Sequence, residues 1–240
     1  MSFLAAGDVG LSLAQRLKLL LRFYRVSRSV ECAHSESQII HFSRAVLGLP
    51  KTVKGCLVEA GCFKGGTSAK FSILAKAANR ELVTFDSFEG IPDNQEDHGQ
   101  NIFGGEVGFL KGDYRGDFRE VTENVRRYGE IQACRFVKGF FEDTMPSFHQ
   151  PVAAAYLDVD LASSTRDCLR YLWPLLSPGG VVFSQDGHLP LVLEVFKDVK
   201  FWRDELGCMP PQVEGMGQQQ LVWFSKPASA VLVEQMSNAN

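Results

Sequence analysis

The sequence predicts an α/β fold of Rossmann-like type, with a mostly parallel sheet and helices on both faces. From residue 55 onward, short apolar runs alternate with helical stretches, which is the order expected of strands joined by crossover helices. The runs at 152–157 and 181–184 carry no charged residue, as expected of strands that are buried on both faces. A length of 240 residues with 45% hydrophobic content is sufficient for one domain with a substantial core.

Two helices are predicted ahead of the sheet. The first carries leucines at helical spacing with basic residues among them, and the second begins with a capping-box pattern at Ser35. We divide the chain into a helical extension at 1–50, a sheet domain at 51–227 and a flexible tail at 228–240. A basic amphipathic helix can pack on its own domain, pair with a second copy or lie on a membrane surface. Of these, we expect a homodimer formed through the N-terminal helices.

The remaining elements continue the alternation. Strands are predicted at 55–60, 81–85, 132–138, 152–157, 181–184 and 220–225. Helices are predicted at 67–78, 117–128, 161–176 and 190–206, with a stop at the Ser-Pro-Gly-Gly run of 177–180. The polar, glycine-containing segment at 93–108 is either a lid or a disordered loop, and its place after a strand end favours the lid.

Charge and composition argue against several classes of function. A net charge of −3 argues against nucleic-acid binding, and the absence of a long apolar run argues against a membrane span. The N-terminus does not show the pattern of a secretory signal. The six cysteines include no C-x-x-C pair, which argues against a zinc knuckle or a redox dithiol. We therefore expect a cytoplasmic chain with reduced thiols.

The first chemical signal is the sequence VEAGCFKGGTS at 58–68, which follows a predicted strand and opens a helix. Glycines at such a turn let the backbone approach a ligand, and a helix start offers free N–H groups. The spacing G-x-x-x-G-G differs from the dinucleotide pattern G-x-G-x-x-G, and Glu59 precedes the first glycine. Because an acid there opposes a pyrophosphate and favours an ammonium group, the motif favours S-adenosylmethionine (SAM) over NAD.

A second acid, Asp86, ends the next predicted strand within the sequence FDSFEGIP. A carboxylate in that position can accept hydrogen bonds from both hydroxyls of an adenosine ribose, or it can simply cap the following turn. Further along, Phe140 and Phe141 of the sequence KGFFEDT either flank an adenine or belong to the core.

A cluster of acids is predicted where two later strands end. Asp158 and Asp160 follow the run at 152–157, and Asp186 follows the run at 181–184. Their carboxylates can converge at one edge of the sheet, where hard oxygen ligands suit Mg²⁺ or Mn²⁺. Asp160 can alternatively cap the helix that follows it.

Histidine is the usual proton acceptor near neutral pH. His188 stands two residues after Asp186 and is predicted as a second base or as a substrate contact. The other histidines show no partner in the sequence and are interpreted as surface or core residues: His34, His41, His98 and His149.

Four segments together resemble the macrocin O-methyltransferase family of class I SAM-dependent methyltransferases. They are VEAGCFKGGTSAKFS, FDSFEGIP, KGFFEDTMP and YLDVDLASSTRDCLRYLWPLLSPGGVVFSQDGH, and the resemblance covers residues 35 to 190. It implies a seven-stranded, mostly parallel sheet, SAM as methyl donor, and Mg²⁺-assisted methylation of sugar hydroxyls during antibiotic biosynthesis.

The resemblance also implies roles for individual residues. The cofactor-binding set consists of Glu59, Gly61, Gly65, Gly66, Ser68, Asp86, Ser87, Phe88, Phe141 and Glu142. Asp158 matches an acid that is both a metal ligand and the general base, and Asp186 matches a second metal ligand. Gln185 stands where the family usually has another acid, and its uncharged amide oxygen should bind a cation more weakly.

The sequence therefore predicts a SAM-dependent O-methyltransferase that transfers a methyl group to a hydroxyl of a small molecule. Asp158 is the predicted base and metal ligand, Asp186 and Gln185 are further ligands, and His188 is the alternative base. Two other hypotheses stay open, a non-catalytic or metal-independent SAM-binding protein and an NAD-linked oxidoreductase or epimerase.

Overall fold

The sheet has six strands in the order β3-β2-β1-β4-β5-β6. The structure is a computed structural model, and it describes residues 3–5 and 10–228. The strands are β1 (Cys56–Ala60), β2 (Leu82–Asp86), β3 (Cys134–Lys138), β4 (Val152–Leu157), β5 (Leu176–Ser184) and β6 (Val222–Ser225). Neighbouring strands pair in parallel, except that β6 runs antiparallel to β5. The predicted α/β fold with a mostly parallel sheet is confirmed.

In the described part of the chain, two helices precede β1, one follows each of β1 to β4, and two lie between β5 and β6. They are α1 (Leu13–Ser27), α2 (Glu36–Gly48), α3 (Gly66–Ala77), α4 (Phe118–Tyr128), α5 (Phe141–Thr144), α6 (Ala162–Leu175), α7 (Pro190–Lys197) and α8 (Val199–Leu206). The predicted capping box at Ser35 is confirmed, since its side chain accepts from the Gln38 backbone and the Gln38 side chain accepts from the Ser35 backbone. None of the helices described is both long enough and apolar enough to cross a membrane.

Alternate strand residues contribute to two apolar cores, one on each face of the sheet. Leu57 and Tyr156 belong to the core that also contains side chains of α1 to α4. Val58 and Leu157 belong to the core built with α6, α7 and α8. Successive strand residues point to opposite faces. Because both faces are covered, β1 and β4 are buried along their whole length, which explains the apolar composition of β4.

The N-terminal extension is held to the sheet domain by packing and by a buried ion pair. Helix α1 buries Leu19, Phe23 and Val26 against the core that it shares with α3. Lys70 of α3 is fully buried, and its Nζ lies 2.7 Å from Oε1 of Glu36 at the start of α2. A buried ammonium requires such a partner, so the pair fixes the start of α2 against α3.

The resemblance predicted a seventh strand, and this prediction is wrong for the described residues. The segment between α8 and β6 meets β6 in one isolated bridge, between Glu214 and Trp223. Pro210 and Pro211 offer no N–H donors, and Gly215 has a φ of +78°. This composition produces a turn rather than a further ladder.

Two other predicted boundaries are also wrong. The helix expected at 190–206 is interrupted at Asp198, whose side chain accepts a hydrogen bond from the Phe201 backbone and so begins α8. The stop expected at 177–180 lies inside β5, where these residues interrupt the register between β5 and β4. Apart from residue 228, the predicted flexible tail lies outside the described residues.

Candidate active site

A cavity of about 320 Å³ lies at the carboxyl ends of the central strands. Nine of the predicted site residues line it: Gly61, Asp86, Ser87, Phe141, Glu142, Asp158, Gln185, Asp186 and His188. Ligands of open α/β sheets bind at this edge because strand ends and helix starts meet there. The structure therefore brings the cofactor candidates after β1 and β2 together with the acids after β4 and β5.

The remaining cofactor candidates lie outside the lining of this cavity: Glu59, Gly65, Gly66, Ser68 and Phe88. A Cβ at Gly66 would collide with the backbone of Glu31 and the side chain of Cys32, so this glycine makes room for the N-terminal extension. The ring of Phe88 packs instead against Phe118, with centroids 4.9 Å apart.

Gly61 is required for close contact between two strand ends. Its φ is +82°, and a Cβ there would overlap the carbonyl oxygen of Asp158. The glycine loop after β1 therefore lies directly against the backbone of the residue predicted as base.

Glu59 is fully buried between the sheet and α3. Its Oε2 accepts a hydrogen bond from the Thr84 hydroxyl at 2.9 Å. Burial raises the pKa of the Glu59 carboxyl to about 8, although hydrogen bonds from the hydroxyls of Ser68 and Thr84 oppose the shift. At neutral pH a carboxyl with this pKa is mostly protonated, so it does not supply the negative charge predicted for a ligand ammonium group.

The raised pKa of Glu59 predicts a pH-dependent stability. In the unfolded chain a glutamate titrates near about 4.3. Protonated Glu59 therefore stabilises the folded state fully below this unfolded-state pKa. The stabilisation is lost as the pH rises toward the folded-state pKa of about 8. The loss amounts to about 1.4 kcal/mol for each pH unit in this window. The Glu59→Gln variant lacks this slope and should melt progressively higher than the wild type between pH 5 and pH 8.

Thermal unfolding of the ligand-free protein measures this difference. The difference in Tm between Glu59→Gln and the wild type should widen by about 2–4 °C for each kcal/mol of difference in the free energy of unfolding. Glu123→Gln is the matched control, since Glu123 is exposed and forms an ion pair with Arg126 in its own helix. A Glu59→Gln curve parallel to the wild-type curve over this pH range would contradict the raised pKa.

Asp86 joins the glycine loop to the turn after β2. Its Oδ2 accepts from the Cys62 N–H at 2.7 Å, and its Oδ1 accepts from the Phe88 N–H at 2.7 Å. Burial raises the pKa of Asp86, and these N–H groups oppose the rise by stabilising the carboxylate. The Cys62 thiol and the Phe63 N–H also stabilise the carboxylate. Asp86 therefore caps the turn, as one hypothesis held, and it lines the cavity where the other hypothesis places a ribose.

Three carboxylates form a compact cluster at the ends of β4 and β5. Oxygen atoms of Asp158, Asp160 and Asp186 lie within 4.8 Å of one another. Burial, reinforced by the charge of Asp158, raises the pKa of Asp186 to about 7. Burial and the two neighbouring carboxylates likewise raise the pKa of Asp160 well above its usual range. Such a cluster favours a cation, and an all-oxygen set fits Mg²⁺ or Mn²⁺.

Gln185, predicted as a further ligand, lines the same cavity as the three acids. Its side-chain oxygen accepts a hydrogen bond from the hydroxyl of buried Tyr156 at 2.9 Å. Asp160 is the residue that supplies the third carboxylate of the cluster. Its backbone has a φ of +61°, a conformation that bends the chain sharply after β4. Asp160 does not cap α6, whose N-cap is Leu161.

The predicted lid at 93–108 lies beside the cavity and is held there by hydrogen bonds. Val107 and Phe109 line the cavity. The carboxylate of Glu96 accepts hydrogen bonds from the N–H groups of Ala162 at 2.7 Å and Ser163 at 2.8 Å, so the lid caps α6. The Ile102 N–H also donates to the carbonyl of His188 at 3.0 Å.

Two histidines contribute polar groups near the acids. His188 lines the cavity, burial lowers the pKa of its imidazole, and its Nδ1 has no hydrogen-bond partner in the described part of the chain. The interpretation of His34 as a residue without a partner is wrong. Its Nε2 lies 3.0 Å from Oδ2 of Asp158, and its Nδ1 lies 2.8 Å from the Thr67 hydroxyl. No spacing in the sequence indicates this contact, because it depends on how the extension crosses the sheet edge.

A mostly parallel sheet with a glycine loop after β1, an acid at the end of β2 and a cavity at the strand ends is typical of nucleotide-cofactor enzymes, including the class of SAM-dependent methyltransferases. The family described as macrocin O-methyltransferase (TylF) matches residues 41–212, and the chain belongs to this family of O-methyltransferases. This membership decides for SAM over the NAD-linked alternative.

Similar proteins carry related names. The chain is 32% identical over 185 residues to the 8-demethyl-8-(2,3-dimethoxy-alpha-L-rhamnosyl)-tetracenomycin-C 4'-O-methyltransferase of Streptomyces olivaceus, covering 74% of this chain and 69% of that protein. It is 29% identical over 178 residues to the mycinamicin III 3''-O-methyltransferase of Micromonospora griseorubida, covering 71% and 68%. The crystal structure of the calicheamicin methyltransferase CalS11 shares the fold, with a TM-score of 0.63, 17% identity and coverage of 90% and 95%.

Proposed function

We propose that this enzyme transfers the methyl group of SAM to a hydroxyl of a small glycosylated natural product, assisted by a divalent metal and by Asp158 as base. The observation that carries the proposal is that Asp86 and the three clustered acids line one cavity. The names of the relatives support the acceptor class, since one of them is named for a rhamnosyl-tetracenomycin.

Each group of residues has a distinct task in this proposal. Asp86 holds the ribose hydroxyls, while Asp158, Asp160 and Asp186 would hold the metal. When bound, SAM supplies an electrophilic methyl group, and Mg²⁺ or Mn²⁺ lowers the pKa of the acceptor hydroxyl. Phe109, just beyond the lid, contributes an apolar wall to the cavity and would displace water from the bound acceptor.

Asp158 is the better placed of the two candidate bases. A hydroxyl is a poor nucleophile until its proton is removed, and a nearby carboxylate can accept that proton. Oδ2 of Asp158 faces His34, which leaves Oδ1 for the acceptor and the metal. His188 lines the same cavity and contacts the acceptor in this proposal.

Calorimetric titration with S-adenosylhomocysteine (SAH), with Mg²⁺ and again with EDTA, tests the cofactor site. We expect binding in both conditions. A screen of hydroxylated glycosides for SAH release then tests the reaction, and we expect EDTA to abolish turnover and Mg²⁺ to restore it. Binding without turnover on any acceptor would favour the non-catalytic alternative, and turnover in EDTA would favour the metal-independent one.

We also propose a homodimer formed through α1. The helix leaves four apolar side chains exposed on one face: Leu13, Leu17, Leu21 and Tyr24. Their spacing of four, four and three residues places them in one stripe. In a symmetric dimer, the apolar stripes of the two copies of α1 would cover each other.

Sedimentation velocity measures the oligomeric state. The wild type should sediment as a dimer, and the double variant Leu17→Glu with Leu21→Glu should sediment as a folded monomer with the far-UV circular dichroism spectrum of the wild type. Lys18→Glu introduces charge at an exposed position outside the stripe and serves as the control. A dimeric double variant would exclude α1 as the contact.

The proposal assigns the cofactor site to residues 51–227, and the extension at 1–50 completes the site through His34. All six cysteines are free, which is consistent with the proposed cytoplasmic location.

A further inference from the structure

His34 connects the N-terminal extension to the acid cluster. It lies between α1 and α2, and only 5% of its side chain is exposed. Its Nε2 is 3.0 Å from Oδ2 of Asp158, and its Nδ1 is 2.8 Å from the hydroxyl of Thr67 in the first turn of α3. The ring also meets Tyr156 edge-on, with centroids 5.5 Å apart. The imidazole therefore has a neighbour on three sides: a hydroxyl, a carboxylate and an aromatic ring.

Both ring nitrogens of His34 already face a protein partner. Because a bare nitrogen would be repelled by the carboxylate of Asp158, a ring proton lies on Nε2, while Nδ1 accepts from the Thr67 hydroxyl in the neutral ring or donates to it in the imidazolium. An imidazole held in this way has no free nitrogen for the proton of an acceptor hydroxyl. The geometry thus excludes His34 as the base and leaves it a role that acts through Asp158.

Asp158 differs from Asp186 in what fixes its carboxylate. The Oδ2 of Asp186 accepts hydrogen bonds from the backbone N–H groups of Val159 at 3.0 Å and Asp160 at 3.2 Å. The side chain of Asp158 is 24% exposed, and its contact to His34 comes from a separate segment of the chain. Its orientation therefore depends on a side chain that the extension supplies.

We propose that His34 is a positioning residue that holds Oδ2 of Asp158 and thereby directs Oδ1 toward the metal and the acceptor hydroxyl. The inference rests on the proposed function, in which Asp158 is a metal ligand and the base. Partners that orient a metal-binding carboxylate affect metal affinity even though they do not touch the ion. The extension is then part of the active site, because it carries the residue that orders the principal acid.

Mn²⁺ binding, measured by electron paramagnetic resonance of the free ion, tests the role without requiring an acceptor. His34→Ala should weaken Mn²⁺ binding by about 10- to 100-fold. Thr67→Val should weaken it by a smaller factor because it removes the hydroxyl that orients the ring, and Thr67→Ser should restore it. SAH affinity, measured by calorimetry, should stay within about threefold of wild type in all of these variants.

His149→Ala is the matched control, since His149 is an exposed histidine outside the cavity lining. Asp158→Asn is the reference for loss of the ligand itself. If His34→Ala does not fold, the variants Thr67→Val and Thr67→Ser still test the inference. Unchanged Mn²⁺ affinity in Thr67→Val would then overturn it.

The possible failures are distinguishable. Unchanged Mn²⁺ affinity in His34→Ala, together with weakened affinity in Asp158→Asn, would overturn the role of His34 and leave the proposed function intact. Tighter Mn²⁺ binding in His34→Ala would show that the imidazole only repels the cation, and an equal loss of SAH affinity would show a general structural role. Mn²⁺ affinity that is unchanged even in Asp158→Asn would overturn both this inference and the proposed metal site.

Discussion

Asp158→Asn should lower the rate of methyl transfer by about 10²- to 10⁴-fold, the range that a positioned general base contributes. Asparagine keeps the shape of the side chain but cannot take the proton of the acceptor hydroxyl. It also removes one of the three carboxyl groups whose oxygen atoms lie within 4.8 Å of one another at the strand ends. SAH affinity should change by less than about threefold, since the ribose acid lies on a different strand.

The Asp158→Asn experiment measures SAH release under saturating SAM, with the acceptor that the glycoside screen identifies. Asp204→Asn is a matched control, because Asp204 is exposed and pairs with the adjacent Arg203. A wild-type rate in Asp158→Asn, combined with loss of turnover in His188→Gln, would transfer the role of base to His188.

Asp86→Ala should weaken SAH binding by at least about 100-fold, which corresponds to the loss of hydrogen bonds between a charged acceptor and the ribose hydroxyls. The substitution also leaves the N–H groups of Cys62 and Phe88 without their carboxylate partner. Both losses should weaken SAH binding. The second acts through the glycine loop, which loses its link to the turn after β2.

Calorimetry with SAH measures the effect of Asp86→Ala directly. Asp93→Ala, at an exposed acid of the lid, serves as the control. Asp86→Asn should be intermediate, since an amide retains one oxygen acceptor but directs an NH₂ group at a backbone N–H. Wild-type SAH affinity in Asp86→Ala would remove Asp86 from the ribose site and would reduce its role to capping the turn.

The parts of the molecule that were predictable from sequence are those that local pattern determines. The apolar runs ending at Leu157 and Ser184 identify the buried strands, and parallel pairing then places Asp158 and Asp186 at one edge. The capping box at Ser35 fixes the start of a helix through contacts three residues apart. Local chemistry and a simple topology are sufficient for these features.

The parts that were not predictable depend on the path of irregular segments. His34 reaches Asp158 only because the extension packs on the face of the sheet that carries α3. Glu96 of the lid caps α6 although it is distant from that helix in sequence. The alternative that placed the cap at Asp160, next to the helix, was therefore wrong. The third carboxylate depends on the positive φ of Asp160, which an aspartate adopts without any marker such as glycine.

The lid departs from the sheet and returns to it at nearly the same point. The Ile91 N–H donates to the Asp113 carbonyl at 2.9 Å, and the Gly112 N–H donates to the Ile91 carbonyl at 2.9 Å, so both ends of the segment are closed by backbone contacts. The residues between them can vary in evolution as one module, without displacing β2 or α4. Substitutions at Val107 or Phe109 should therefore change the lining of the cavity while leaving the end of β2 in place.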